Sequence, residues 1–114
     1  MKYLMFQEEL ETLLGRGETI VDDKDLPPFT VIYFTANWCG ACRSLDLTAV
    51  EKAATDLAIN LLKCDVDQNT YSPGYCSVRS IPYFVAIKNK KIVGNLQSTD
   101  TETVITWMKD KLSL

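Results

Sequence analysis

Residues 29–34 read FTVIYF, a short and nearly unbroken run of apolar, β-branched and aromatic side chains. Such a run fits a strand buried on both faces, as in a parallel sheet, where the in–out alternation of a half-exposed strand disappears. Over residues 43–59 the period changes. Leu47, Val50, Ala54 and Leu57, with Ala53 and Ala58 beside them, fall on one face of a predicted helix. Residues 59–67, INLLKCDVD, return to an apolar run and predict a second buried strand. Strand, helix, strand at this spacing is a βαβ unit, for which a right-handed crossover is expected.

The flanks are patterned less strongly. Residues 6–14 combine helix formers with apolar spacing at Phe6, Leu10, Leu13 and Leu14, and Gly15 and Gly17 suit the end of that helix. A short strand at Tyr3–Met5 is left open by the pattern, as is another at Thr19–Val21, and DDKDLPP at 22–28 reads as a loop. Residues 68–77 are mixed, and Pro73-Gly74 is expected to break any helix there. Residues 83–96 predict a hairpin turning near Asn89-Lys90. Thr99 and Glu102 have capping-box spacing, and Val104, Ile105, Met108 and Leu112 then line one face of a closing helix. There is no internal repeat and no low-complexity tract.

Composition narrows the class. The chain has 114 residues, 46% of them hydrophobic and 24% charged, with a net charge of −3. That suits one globular domain and argues against disorder as the main state. The nearest thing to a basic cluster, Lys88 to Lys91, is split by Asn89 at the hairpin tip, so nucleic-acid binding is not expected. No apolar run approaches the roughly 20 residues a membrane-spanning helix needs. The opening MKYLMF is short and followed at once by Glu8, Glu9 and Glu11, unlike a signal peptide. The expectation is a cytoplasmic protein in reducing surroundings, where structural disulfides are disfavoured.

The chemistry gathers in NWCGACR, residues 37–43. The chain has four cysteines and no histidine. Cys39 follows the buried strand and the linker Thr35–Trp38, where the next helix is expected to begin. Unpaired backbone amides and the positive end of the helix dipole stabilise a thiolate there, so Cys39 is expected to attack. Cys42 lies on the same side of the first helical turn, within reach, and suits the resolving thiol that attacks the mixed disulfide. Gly40 leaves the approach open and Arg43 adds positive charge. Two other readings remain at this point. One is a pair of buried structural thiols. The other is a metal site, which without histidine would need Cys64 and Cys76 or carboxylates as well, although a four-thiolate site normally takes two close pairs.

Trp38-Cys39-Gly40-Ala41-Cys42 resembles the Trp-Cys-Gly-Pro-Cys motif of the thioredoxin family. Val78-Arg79-Ser80-Ile81-Pro82 resembles its second signature, Lys63-Cys64-Asp65-Val66-Asp67 the strand between them, and Val93-Gly94 with the closing helix its tail. The resemblance covers residues 29–112, behind a divergent N-terminal helix and loop at 1–28, in a single domain over 1–114. It implies an α/β thioredoxin fold, a central mixed sheet of four to five strands with helices on both faces. It implies a thiol–disulfide oxidoreductase that reduces protein disulfides through Cys39 and Cys42. Pro82 is then preceded by a cis peptide bond and faces the cysteines, and Trp38, Gly40, Ala41, Ile81 and Pro82 form an apolar docking surface. Partners are disulfide-containing proteins, with a thioredoxin reductase or the glutathione system as electron donor. No cofactor beyond the redox-active cysteine pair and no metal is expected, and the molecule is expected to be a monomer.

The departures concern tuning. Ala41 stands where the family carries proline. Tyr33 stands where thioredoxins often bury an aspartate thought to help deprotonate the second cysteine. Lys63 matches a lysine that lies near that aspartate, so its partner is expected to be missing. Ser98 replaces a usual glycine near the substrate groove, and Pro73-Gly74 interrupts a segment that is usually helical. Cys64 is expected to be core packing and Cys76 a bystander in the altered segment. These departures keep a second reading alive: a thioredoxin-like binding or assembly module whose docking surface matters more than its redox activity.

Overall fold

The computed structural model describes residues 1–16 and 26–114. The expectations at Gly17, at Thr19–Val21 and for most of the 22–28 loop lie outside the described residues. Elements follow in the order β1 (Lys2–Tyr3), α1 (Gln7–Leu13), β2 (Phe29–Thr35), α2 (Leu47–Asp56), β3 (Asn60–Asp65), α3 (Tyr71–Tyr75), β4 (Tyr83–Lys88), β5 (Lys91–Gln97) and α4 (Thr101–Leu112), with a four-residue 3₁₀ turn, Ala41–Ser44, ahead of α2.

Among the described residues five strands form one mixed sheet in the order β1-β3-β2-β4-β5. β1, β3 and β2 run parallel, and β4 lies antiparallel to both β2 and β5. The apolar run at 29–34 is thus the central strand, and every one of its residues is buried. Its alternate side chains serve two layers. Phe29, Val31 and Tyr33 pack with Val50 and Ala54 of α2 and Val104 and Met108 of α4. Ile32 and Phe34 pack on the other face with Leu4, Leu10 of α1 and Cys64 of β3.

Helix boundaries differ from the sequence pattern in three places. The predicted helix over 43–59 is broken. The 3₁₀ turn is followed by Leu45 in extended conformation and buried, and α2 starts only at Leu47, its N-terminus capped by the Asp46 carboxylate accepting from the Ala49 amide at 3.1 Å. The helix stops early because Ala58 turns to φ +56, letting the Ile59 amide donate to the Ala54 carbonyl at 2.8 Å. Pro73-Gly74 does not prevent α3, because Pro73 falls in the first turn, where its missing N–H has no intrahelical partner to lose. The cap of α4 is Asp100, one residue after the predicted Thr99, with its carboxylate accepting from the Thr103 amide and hydroxyl. The hairpin turns at Asn89 and Lys90, both with positive φ, as a two-residue turn matched to strand twist requires.

The register fixes where chemistry can occur. Parallel β2 and β3 end at the same edge, and Tyr83, which opens antiparallel β4, pairs with Phe34 near the end of β2. The loops after β2, after β3 and before β4 therefore converge.

Candidate active site

The loop after β2 carries both motif cysteines. Ala36 accepts a hydrogen bond from the Cys39 amide at 3.1 Å, which turns the chain back over the strand end. Cys39 and Cys42 are joined as a disulfide, with Sγ–Sγ 2.18 Å and Cα–Cα 5.4 Å. Both are buried, at 4% and 8% exposure. The Cys42 amide donates to Cys39 Sγ at 3.1 Å, a donor that favours negative charge on that sulfur. The helix start expected at Cys39 is the short 3₁₀ turn, so this local amide, rather than the dipole of a long helix, is the electropositive group in contact. Arg43 is exposed on the same turn, and the space a side chain would occupy at Gly40 is open.

The loop before β4 brings Ile81 and Pro82 to the same edge, joined by a cis peptide bond. Between the loops runs a groove of about 370 Å³, walled by Trp38, Val66, Pro73, Val78 and Ile81, with Arg79 and Ser80 on its lining. Trp38 is 66% exposed and is held at the rim by its indole N–H donating to the Asp67 carboxylate at 2.8 Å.

Tyr33 lies behind the site, 1% exposed, stacked on Phe84 at 5.0 Å between ring centroids. Its hydroxyl donates to Thr35 Oγ1 at 3.2 Å. Burial pushes its pKa up, and the Thr35 hydrogen bond offsets only part of that. Lys63, in register beside Tyr33, has its ammonium over the Tyr3 ring at 5.5 Å, so a cation–π contact holds the lysine that lacks the expected carboxylate. Ser98 accepts from the Asp100 amide at 3.1 Å and braces the start of α4. Cys64 and Cys76 are unpaired and pack in the second layer. Burial pushes the Cys64 thiol up to about 12, with Cys76 and Asp65 adding to the effect, and burial alone takes Cys76 to about 11. Both stay protonated and unreactive at neutral pH.

Sequence reading did not single out Asp67, Thr35 or the groove walls Val66, Pro73 and Val78. Val66, Asp67, Val78 and Arg79 lie within the two stretches that resemble the family's and could have been named from them. Thr35 carries no local signal. Among the described residues no group of three or more His, Cys, Asp or Glu is placed to hold a metal, and no helix is long and apolar enough to cross a membrane.

A family model described as thioredoxin matches residues 18–110. The chain belongs to the thioredoxin family. It is 33% identical to a thioredoxin of Haemophilus influenzae over 78 residues, which are 67% of this chain and 70% of that one. It is 32% identical to the mitochondrial thioredoxin-3 of Saccharomyces cerevisiae over 82 residues, 70% of this chain and 63%, less than two thirds, of the yeast protein. The structure of Fasciola hepatica thioredoxin aligns with a TM-score of 0.79 at 28% identity, covering 97% of this chain and 99% of the other. Members of this family are thiol–disulfide oxidoreductases, and the Cys39–Cys42 pair equips this chain for the same reaction.

Proposed function

We propose that this chain reduces protein disulfides by dithiol–disulfide exchange, with Cys39 as nucleophile and Cys42 as resolving thiol. The observation that carries the reading is the bonded Cys39–Cys42 pair, which follows directly on Trp38, a wall of the Trp38–Ile81 groove. In the reduced protein the Cys39 thiolate attacks one sulfur of the target disulfide. That bond breaks, the second target sulfur leaves as a thiolate, and a mixed disulfide joins Cys39 to the target. The Cys42 thiolate then attacks Cys39 Sγ, expelling the reduced target and forming the Cys39–Cys42 disulfide. Two electrons have passed to the target, and the two thiol protons end on its sulfurs or in solvent. Trp38, Gly40, Ala41, Ile81 and Pro82 dock the target, Arg43 biases the local charge, and Tyr33 and Lys63 tune the site from behind.

The dithiol carries the electrons by itself, and a thioredoxin reductase or the glutathione system returns them. The protein works as a monomer in the cytoplasm. The unpaired Cys64 and Cys76 support a reducing compartment. Reduction of insulin by dithiothreitol, with and without Cys39→Ser, tests the proposal: the wild-type chain accelerates it and the variant does not.

A further inference from the structure

Against a net charge of −3 for the chain, the groove between Trp38 and Ile81 is lined, among the described residues, by a single ionisable residue, and it is an arginine. Arg79 is exposed, so its guanidinium is available to an incoming chain. Asp67, on the loop after β3, is engaged by the Trp38 indole. Lys63 of β3 is turned to Tyr3, and Arg43 is exposed on the cysteine turn, outside the groove lining. Arg79 is thus the charged group on an otherwise uncharged groove lining, with the Asp67 carboxylate standing at the Trp38 rim.

We propose that Arg79 selects targets carrying an acidic side chain beside the cysteine that is attacked; the proposal rests on the reductase reading. A guanidinium stays charged at every working pH and offers a planar fork that matches a carboxylate. The field of the whole chain pulls the other way, since net negative charge attracts basic targets. A preference for acidic targets therefore reports the local arginine and not the global charge. A pair at an open rim acts mainly on encounter rate and is screened by salt.

The test uses two disulfide-linked peptides identical except for Glu or Lys beside the cystine, with kcat/KM measured for the whole chain under dithiothreitol. At low salt the wild-type ratio of Glu to Lys peptide is expected to be about threefold, in the range of an exposed ion pair, and to fall toward one at about 1 M salt, where the Debye length is about 3 Å. Arg79→Glu should invert the ratio and Arg79→Gln bring it to one or slightly below, where the field of the chain acts alone. Because each ratio is taken within one protein, a variant of lower overall activity still reports. A wild-type ratio at or below one at low salt, a ratio indifferent to salt, or the same ratio in Arg79→Glu overturns the role of Arg79. If the wild-type chain turns over neither peptide and does not reduce insulin, the reductase reading itself fails and the proposal with it.

Discussion

The proton on Cys42 is the central question at the scale of single residues. A buried aspartate could accept it; Tyr33 cannot. Its phenol is nine-tenths or more out of solvent, and burial raises a pKa whose ordinary value is already near 10, so it stays protonated through neutral pH. Without a carboxylate to take the Cys42 proton, the release of target from the mixed disulfide should be slow at neutral pH and rise as the pH is raised. Single-turnover release measured as a function of pH checks it; a full-speed plateau below pH 7 contradicts it. Ala41 bears on the potential. It stands at the first position of the 3₁₀ turn, the place where proline's fixed φ is most easily accommodated, so the family's proline is replaced by a freer residue. The couple should be less reducing than a typical thioredoxin by about 30 mV, which is about 1.4 kcal/mol. Equilibration with glutathione buffers measures it, and a value at or below about −270 mV would refute the expectation. Cys39, Cys42 and Pro82 were legible in the sequence because the family motif fixes their spacing. The partners of Trp38 and Lys63 were not, because Asp67 and Tyr3 meet them only through the fold.

At the scale of elements, periodicity located each long strand and helix and misjudged the junctions. The 43–59 window opens ahead of the apolar face of α2, and Leu45, buried but two residues and so about 200° away from Leu47 on a helix, is the position where the helical phase fails. Proline was read as a breaker at 73 because its effect depends on which helical turn it occupies, and a five-residue helix leaves no periodicity to show that. The end of α2 was hidden for a similar reason. Ala58 is a good helix former placed at a left-handed position that glycine usually fills. This local conflict yields a prediction. Ala58 is exposed, so Ala58→Gly removes the Cβ penalty and little packing, and the net gain should be about 0.5–1 kcal/mol after the greater unfolded-state freedom of glycine is subtracted. Urea unfolding should show a higher midpoint at unchanged slope; a lower midpoint would show that the left-handed residue carries no strain.

For the whole molecule, the fold class was legible because a buried strand, an amphipathic helix and a second buried strand leave few arrangements. The N-terminal segment was less so. β1 is two exposed residues at the sheet edge, too short for any pattern to reveal, yet Leu4 after it is fully buried in the second layer. The same architecture makes the functional account coherent. A mixed sheet with β4 reversed gathers the cysteine turn, the Asp67 loop and the Ile81-Pro82 loop at one edge, with a layer of core beneath each face of the strands that hold them. The central claim is that this edge performs disulfide exchange rather than docking alone. The most direct test follows insulin reduction by dithiothreitol for the wild-type chain and for Cys39→Ser and Cys42→Ser. The account predicts acceleration by wild type, none by Cys39→Ser, and with Cys42→Ser a mixed disulfide between Cys39 and insulin that persists instead of turnover. A wild-type chain no faster than dithiothreitol alone would contradict it and leave the binding module as the better description.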